Sequence, residues 1–361
     1  MPVVELRTHR VRVPLHTPFS TAVRTVDHVE AVLVEARDED GRSGWGEATE
    51  NWRVTGASLA GIEAAVDGPL RAVVLGRDPD ATEPLTRDVG RAVQGNQAAR
   101  SAVDCALHDL AAVRLSVPLA RLLGAGTLRV PTDVTLAAGP AERMRSAAEQ
   151  RRSEGFDVLK IKLGDPGGDD LRRLKEIGAA VGPGVRLRID ANQGWTPKQA
   201  VRLIGEFEQT GLDIELVEQP VAAGDFDGMA YVTARTGVPV MADESVWSPA
   251  DALRLIRTRG ADLINIKLAK CGGLRPARQL MALAEAAGVG VVLGSMMETH
   301  VGTAATAALA ATARPGGLLP DLDAAWWLSR PPVTGGMVYD GAELCLPDAP
   351  GLGITGLAHT A

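Results

Sequence analysis

Five short apolar runs of this chain carry a charged side chain where a buried strand would be expected to carry none. Lys160 and Lys162 stand two apart in VLKIKLG, so strand alternation directs both amines to one side. Asp190 in RIDAN, Glu218 in VEQP and Asp243 in ADES follow at intervals of 28 and 25 residues, one strand–helix repeat each. Lys267 in LINIKLAK comes 24 residues later, on the next run. Three carboxylates in a partly dry site repel one another unless a cation compensates. An all-oxygen set suits Mg2+, or Mn2+, better than zinc. Two amines flanking such an ion suit a two-base proton transfer at a carbon next to a carboxylate, through an enediolate stabilised electrostatically. The amines must then be neutral near pH 7, which requires a lysine pKa of about 10.4 to fall to roughly 7 to 8. Lys160 beside Lys162, and the metal, are expected to supply that depression. The competing readings are that each acid caps a helix or forms a surface ion pair, and that Lys267 bridges to an adjacent acid.

The order of elements decides whether these groups can meet. Residues 3–14 and 29–36 alternate as strands, and the turn DEDGRSG before WGEA implies a small antiparallel sheet. Alanine-rich stretches at helical spacing fill Ser58 to Leu123, punctuated by Pro118 and Gly124. Residues 1–125 are therefore expected to form an α+β unit. From residue 126 to 329, eight apolar runs (VPTDVTLAAG, DVLKIKLG, RLRIDANQ, IELVEQP, PVMADES, LINIKLAK, VGVVLGSMME and LLPDLD) alternate with segments mostly long enough for one helix. That rhythm argues for parallel βα units, in an open doubly wound sheet or, better for eight strands in this length, a closed barrel. Equivalent positions on consecutive strands are neighbours in a barrel, so the three acids should converge at its carboxyl-terminal mouth. The strands of Lys162 and Lys267 are four apart, which sets the amines on opposite sides. Residues 330–361, rich in Gly and Pro, are expected to return to the amino-terminal unit. Gly351, Gly353 and Gly356 spell GxGxxG too near the end for a helix to follow, and GDPGGDD (164–170) lacks the Lys-Ser/Thr of a phosphate loop, so both read as turns and loops.

Composition removes other classes. The 361 residues are 45% hydrophobic and 23% charged, ordinary for a folded protein, and the length suggests about two domains. Acids outnumber bases 45 to 38, so no basic surplus is available for nucleic acid or an anionic membrane. Cys105, Cys271 and Cys345 form neither a CxxC pair nor an even framework. No apolar leader opens the chain and no 18 uncharged apolar residues run together, so a cytoplasmic protein without membrane contact is expected. Ser295 has no recognisable His and Asp partners, and Glu47 in WGEA reads as a structural residue of the small sheet.

KIK, DAN, VEQP, ADES and the K-x-x-x-x-GG of Lys267 to Gly273 together resemble the muconate-lactonizing subgroup of the enolase superfamily over nearly the whole chain. The resemblance implies an α/β fold, a modified TIM barrel (β/α)7β with an α+β capping domain. It implies Asp190, Glu218 and Asp243 as Mg2+ ligands and Lys162 and Lys267 as acid/base catalysts, a scheme already established for the superfamily. Lys160 would assist charge stabilisation and bind the substrate carboxylate. Within the subgroup the chain looks most like dipeptide epimerases of the L-Ala-D/L-Glu kind: Asp321 and Asp323 in LLPDLD match the DxD that holds a free α-ammonium. Arg24, in TPFSTAVRTV, matches an arginine that recognises a side-chain carboxylate with its planar fork. Thr135 and Met297 also fall where the family contacts substrate. The implied partner is a small dipeptide, and a homo-oligomer is the expected state. Two departures from the pattern are Ala57, where related epimerases often carry an acid, and the bulk of Trp326 and Trp327. Asp321 and Asp323 could instead cap a helix, and Arg24 could be a solvated loop charge. The open alternatives are an N-succinylamino acid racemase or o-succinylbenzoate synthase, a muconate cycloisomerase, a Schiff-base aldolase on Lys162 or Lys267, and a barrel that only binds amino-acid derivatives.

Overall fold

Strands β1 (Val3–Ser20), β2 (Thr25–Asp38) and β3 (Ser43–Thr49) form an antiparallel sheet in that order. The computed structural model describes residues 1–20, 25–164, 169–313 and 316–358, so Arg24 and most of the GDPGGDD loop lie outside the described residues. Both faces of β2 are buried. Val29, Ala31 and Leu33 join the core shared with the barrel, whereas Val32, Val34 and Ala36 pack beneath helices. Those helices are α1 (Leu59–Ala65), α2 (Arg71–Val74), α3 (Thr82–Ala92) and α4 (Gln97–Arg114), whereas α5 (Leu119–Leu123) packs in the core shared with the barrel. β3 lies directly on α4: a methyl group at Gly46 would come within 1.9 Å of the Ala102 carbonyl oxygen, and one at Gly44 within 2.2 Å of the Leu110 nitrogen. Asp109, on the same helix, accepts the Trp45 N–H (2.7 Å) from β3 and the Leu352 N–H (2.6 Å) from the tail.

β4 (Arg129–Pro131) is followed by the barrel strands β5 (Val134–Leu136), β6 (Val158–Lys162), β7 (Arg186–Asp190), β8 (Ile214–Glu218), β9 (Val240–Ala242), β10 (Leu263–Lys267) and β11 (Gly290–Gly294). β5 to β11 make one seven-stranded sheet in sequence order, with every neighbouring pair parallel. The intervening helices are α6 (Ala141–Ser153), α7 (Asp170–Val181), α8 (Pro197–Glu208), α9 (Phe226–Thr233), α10 (Pro249–Thr258), α11 (Leu268–Cys271), α12 (Leu274–Ala287) and α13 (His300–Ala310). Several start where a side chain caps the first turn: Asp169, Thr196 in a reciprocal pair with Gln199, Asp225 and Ser248. The expected modified barrel with an α+β cap is the fold observed.

Two details differ from the sequence reading. VPTDVTLAAG splits: Val130 and Pro131 belong to β4, which pairs antiparallel with β14 (Glu343–Cys345), itself paired with β13 (Val338–Asp340). Only Val134–Leu136 enters the barrel. The eighth strand shrinks to a single parallel bridge between Asp321 and Gly294. Asp321 exchanges hydrogen bonds with Leu293 and Ser295 on one side, while the Pro320 carbonyl accepts the Asp133 N–H on the other. The segment thus spans the gap between β11 and β5. Pro320 has no N–H to lengthen the ladder. The remaining tail pairs β12 (Val333–Gly335) with β15 (Ile354–Leu357), and Gly351 takes a left-handed turn beside Val117–Leu119. Among the described residues no helix is long and apolar enough to cross a membrane.

The close seating of β3 is testable. Gly46→Ala should cost about 1–3 kcal/mol of overpacking, whereas Gly90→Ala, in α3 with open space around it, should be neutral or gain about 0.5–1 kcal/mol. Denaturant midpoints measure both, and equal midpoints would contradict the close contact.

Candidate active site at the barrel mouth

Register builds the site. Lys162 pairs with Asp190 and Asp190 with Glu218 across β6, β7 and β8, placing amine and carboxylates at one level. Residues two earlier on each strand face the same way, so Lys160 and Arg188 lie one layer deeper. Leu216 pairs with Arg188 in that layer and packs with Met241, Leu263 and Val292 in an apolar cluster. The outward residues of β6, Leu159 and Ile161, are fully buried in the main core. Asp243 follows β9 directly, and Lys267 ends β10, four strands from Lys162. Gly294 on β11 has no side chain because a methyl there would meet Asn265 Oδ1 at 2.5 Å.

The charges interlock. Lys160 Nζ donates to Asp321 Oδ2 (2.7 Å) and lies 2.5 Å from Glu218 Oε2 and 3.1 Å from Asp190 Oδ2. Lys162 Nζ donates to Asp190 Oδ2 at 2.5 Å. Asp243 receives Lys267 Nζ on Oδ2 (2.8 Å) and Lys270 Nζ on Oδ1. The Asn265 side-chain amide donates to Glu218 Oε1 (2.9 Å). Glu218 Oε2, though touched by Lys160, receives no hydrogen bond of acceptable geometry. Deeper still, Arg188 is held by Asp133 (2.8 Å) and Glu215 (2.6 Å).

These contacts decide the protonation states. Burial raises Asp190 and Asp243, but Lys162 and Lys160 outweigh it at the first, and Lys267 and Lys270 at the second, so both carboxyls sit below their usual range. Burial, followed by Asp190, pushes Glu218 up to about 7. Lys267, for which a depressed value is expected with the metal in place, is raised by the protein's own groups acting alone, and Lys160 is raised as well. Burial does lower both, but Asp321, Glu218 and Asp190 raise Lys160, and Asp243 raises Lys267, beyond the ordinary lysine value. Like charge from a second lysine is weaker here than opposite charge from the acids at hydrogen-bond distance.

Most of the residues singled out in the sequence meet in one cavity. Lys160, Lys162 and Lys267 line it together with Asp243, and so do Asp321 and Asp323. Thr135 and Met297 complete that wall. Asp190 and Glu218 lie buried beneath. Arg24 is outside the described residues. Asp323 does not cap the short helical turn Ala324–Trp327. Its Oδ2 instead accepts the Thr135 N–H (2.7 Å) and the Trp327 indole N–H (3.0 Å). Lys160 and Lys267 hold Asp321 down to about 2 against the effect of burial.

Sequence reasoning missed three contributors. Lys270 sits in the same LINIKLAK run but one helical turn past the strand, and only the fold brings its amine back to Asp243. Asn265 was hidden among apolar neighbours. The loop after β3 contributes Asn51, Arg53 and Val54 to the cavity, and the Arg53 side chain there is exposed. Ala57 closes that loop by bridging to Asn51, away from the mouth.

The oxygens of Asp190, Glu218 and Asp243 are a hard donor set in which the buried Glu218 Oε2 accepts no well-formed hydrogen bond, and they fit a divalent cation of the Mg2+ type. Among the described residues, no three His, Cys, Asp or Glu side chains are gathered closely enough to hold an ion as they stand. Lysine ammoniums occupy the space between them. Asp243→Asn deprives Lys267 and Lys270 of their shared carboxylate and should destabilise the protein in EDTA by about 3–5 kcal/mol. Urea unfolding reads this, and a loss below about 1 kcal/mol would show that the two amines are compensated elsewhere.

Comparison with known proteins agrees with this geometry. Residues 3–124 match the mandelate racemase / muconate lactonizing enzyme N-terminal domain, and residues 143–358 match the enolase C-terminal domain-like family. The chain is 43% identical over 359 residues to the L-Ala-D/L-Glu epimerase of Bacillus subtilis strain 168, covering 99% of this chain and 98% of that protein. A substrate-liganded structure of the L-Ala-D/L-Glu epimerase from Bacillus subtilis superposes with a TM-score of 0.96 at 42% identity, covering 99% and 100% of the two chains. The dipeptide epimerase of Enterococcus faecalis V583, complexed with Mg and L-Leu-L-Tyr, superposes with a TM-score of 0.93 at 37% identity over 98% and 99%. With two lysines facing each other over a carboxylate cluster and both domains matched, the chain belongs to the mandelate racemase/muconate lactonizing enzyme family of the enolase superfamily and is an isomerase.

Proposed function

We propose that this chain is a dipeptide epimerase that inverts the α-carbon of the carboxyl-terminal residue, with L-Ala-L/D-Glu or a related acidic dipeptide as substrate. The observation that carries this reading is the placement of Lys162 on β6 and Lys267 on β10, four strands apart on one cavity, with the acids between. Similarity to the epimerases of Bacillus subtilis and Enterococcus faecalis supports the substrate class.

In this reading one lysine removes the α-proton from one face and the other returns a proton to the opposite face. Inversion then needs no rotation of the substrate. The assigned ion ligands are Asp190, Glu218 and Asp243, and the ion is Mg2+, with Mn2+ as a substitute of the same hard character. When bound, the ion would compensate these carboxylates and stabilise the negative charge that develops on the substrate carboxylate. Burial alone lowers Lys267, so relief from the pull of Asp243 moves its amine toward the neutral form a base requires. Lys160 binds the substrate carboxylate. Asp321 and Asp323 hold the free α-ammonium, a partner that an N-succinylated amino acid would not supply. Thr135 steadies Asp323 through its N–H, Met297 contacts the substrate, and Arg24 is assigned to the side-chain carboxylate of the second residue.

In D2O with Mg2+, L-Ala-L-Glu should gain deuterium at the glutamyl α-carbon and give two diastereomers. EDTA should abolish this and Mg2+ restore it. Lys162→Ala and Lys267→Ala should each lower epimerisation by about 10²–10⁴-fold, and each should still exchange the α-proton of only one diastereomer. No deuterium uptake from any member of a broad dipeptide library would sink the assignment, and turnover of N-succinylamino acids in its place would establish the rival.

A further inference from the structure

Glu47 was read from the sequence as a structural residue of the capping sheet, yet its carboxylate leaves that sheet. It is almost fully buried on β3, and all its hydrogen bonds go to the barrel helix α13, more than 250 residues away in sequence. Oε1 accepts the Thr299 N–H (2.7 Å), and Oε2 accepts the Thr299 hydroxyl (2.5 Å) and the Gly302 N–H (2.8 Å). Thr299 is the N-cap of α13, its own oxygen accepting the Val301 N–H (3.3 Å). A carboxylate there satisfies amides that the helix leaves unpaired and sits at the positive end of its dipole.

Both ends of this tie lead to the substrate cavity. Four residues after Glu47 begins the loop that lends Asn51, Arg53 and Val54 to one wall. Three and two residues before Thr299 are Met296 and Met297, which line the same cavity as a second wall. Glu298 fastens the second end, its Oε1 accepting the Met296 N–H (3.1 Å). Gly302 permits the arrangement: a methyl at that position would stand 2.7 Å from Glu298 Oε2 and 3.2 Å from Glu47 Oε2. Burial first, and Glu47 second, push Glu298 up to about 8, and burial raises Glu47 as well. The lysines belong to neither wall, because pairing within the parallel sheet holds β6 and β10.

We propose that Glu47 is a positioning residue that fixes the spacing between the capping-loop wall and the Met296–Met297 wall of the cavity, and so sets substrate affinity without taking part in proton transfer. This rests on the cavity being the dipeptide site. A residue that merely supported the fold would lower the active fraction, and with it kcat, while KM held. One that spaces the walls raises KM and spares kcat, because binding common to ground and transition states is lost.

The test compares the full-length Mg2+-loaded enzyme with Glu47→Gln and the milder Thr299→Val, which deletes the hydroxyl contact to Glu47 and the cap on the Val301 N–H but keeps the Thr299 and Gly302 amides. With L-Ala-L-Glu, Glu47→Gln should raise KM by roughly tenfold with kcat within about twofold, and Thr299→Val should move KM in the same direction by less. Amide hydrogen exchange, which needs no substrate, should quicken in Glu47→Gln both at Met296–Thr299 and at Asn51–Thr55. An unchanged KM in a folded variant, a fall in kcat alone, or exchange quickened only at Thr299 and Gly302 would overturn the proposal. Should Glu47→Gln fail to fold, Thr299→Val indistinguishable from the parent in both readings would overturn it equally. If the parent epimerises no dipeptide, it is the functional reading that fails, and the exchange pattern still decides the role of Glu47.

Discussion

Charge compensation inside the barrel is the constraint from which the rest follows. Lys160, Lys162, Lys267 and Lys270 share a small volume with Asp190, Glu218, Asp243 and Asp321, and water reaches few of them. Unpaired, any of these groups would cost several kcal/mol. Each amine is therefore within reach of a carboxylate, and Lys160 touches three. Lys160 does not fully offset burial and the neighbouring Asp190 at Glu218, whose carboxyl is pushed up to about 7. A site arranged this way can exchange internal ammoniums for an external cation without changing its overall electrostatic balance. The same ion pairs that keep the acids ionised also keep Lys160 and Lys267 protonated. The charge on the acids therefore governs whether an amine can act as a base.

Such a cluster needs an unyielding scaffold. The parallel sheet supplies it by repeating one alternation on every strand: Leu159 and Ile161 outward into the core, Lys160 and Lys162 inward. Leu216, Met241, Leu263 and Val292 pack as an apolar cluster beside the polar layers, and the lysines and carboxylates of the cavity gather toward the carboxyl-terminal ends of the strands, where loops can cover them.

What could be read from the sequence follows the same division. Residues on regular strands were legible, because period two and the spacing of the βα repeat convert sequence intervals directly into neighbours. Lys160, Lys162, Asp190, Glu218, Asp243 and Lys267 are all of this kind. Apart from Asn265, masked by its apolar neighbours on β10, the groups that escaped depend on where the chain goes after a strand ends. Lys270 turns back from a helical turn, Asn51 and Arg53 arrive on a loop, and LLPDLD contributes one bridge because Pro320 cannot donate. The balance of charge around the lysines is hidden from the sequence for a related reason. Spacing shows that two amines are close, but not that carboxylates from other strands lie closer.

Chemistry and recognition are consequently carried by different kinds of structure. Strand pairing holds Lys162 and Lys267 at fixed separation, whatever the loops do. The walls that meet a substrate side chain come from two distant stretches, one on the antiparallel cap and one leading into α13, and neither has a ladder of its own to hold it. Hydrophobic contact between cap and barrel is broad but does not define a separation to a fraction of an ångström. A buried carboxylate accepting three hydrogen bonds from a helix terminus does, because those donors are directional and have no water to replace it. Glu47 thus makes the distance between the walls a property of the folded chain, independent of the bound molecule, and cavities built this way lose little to ordering when they bind.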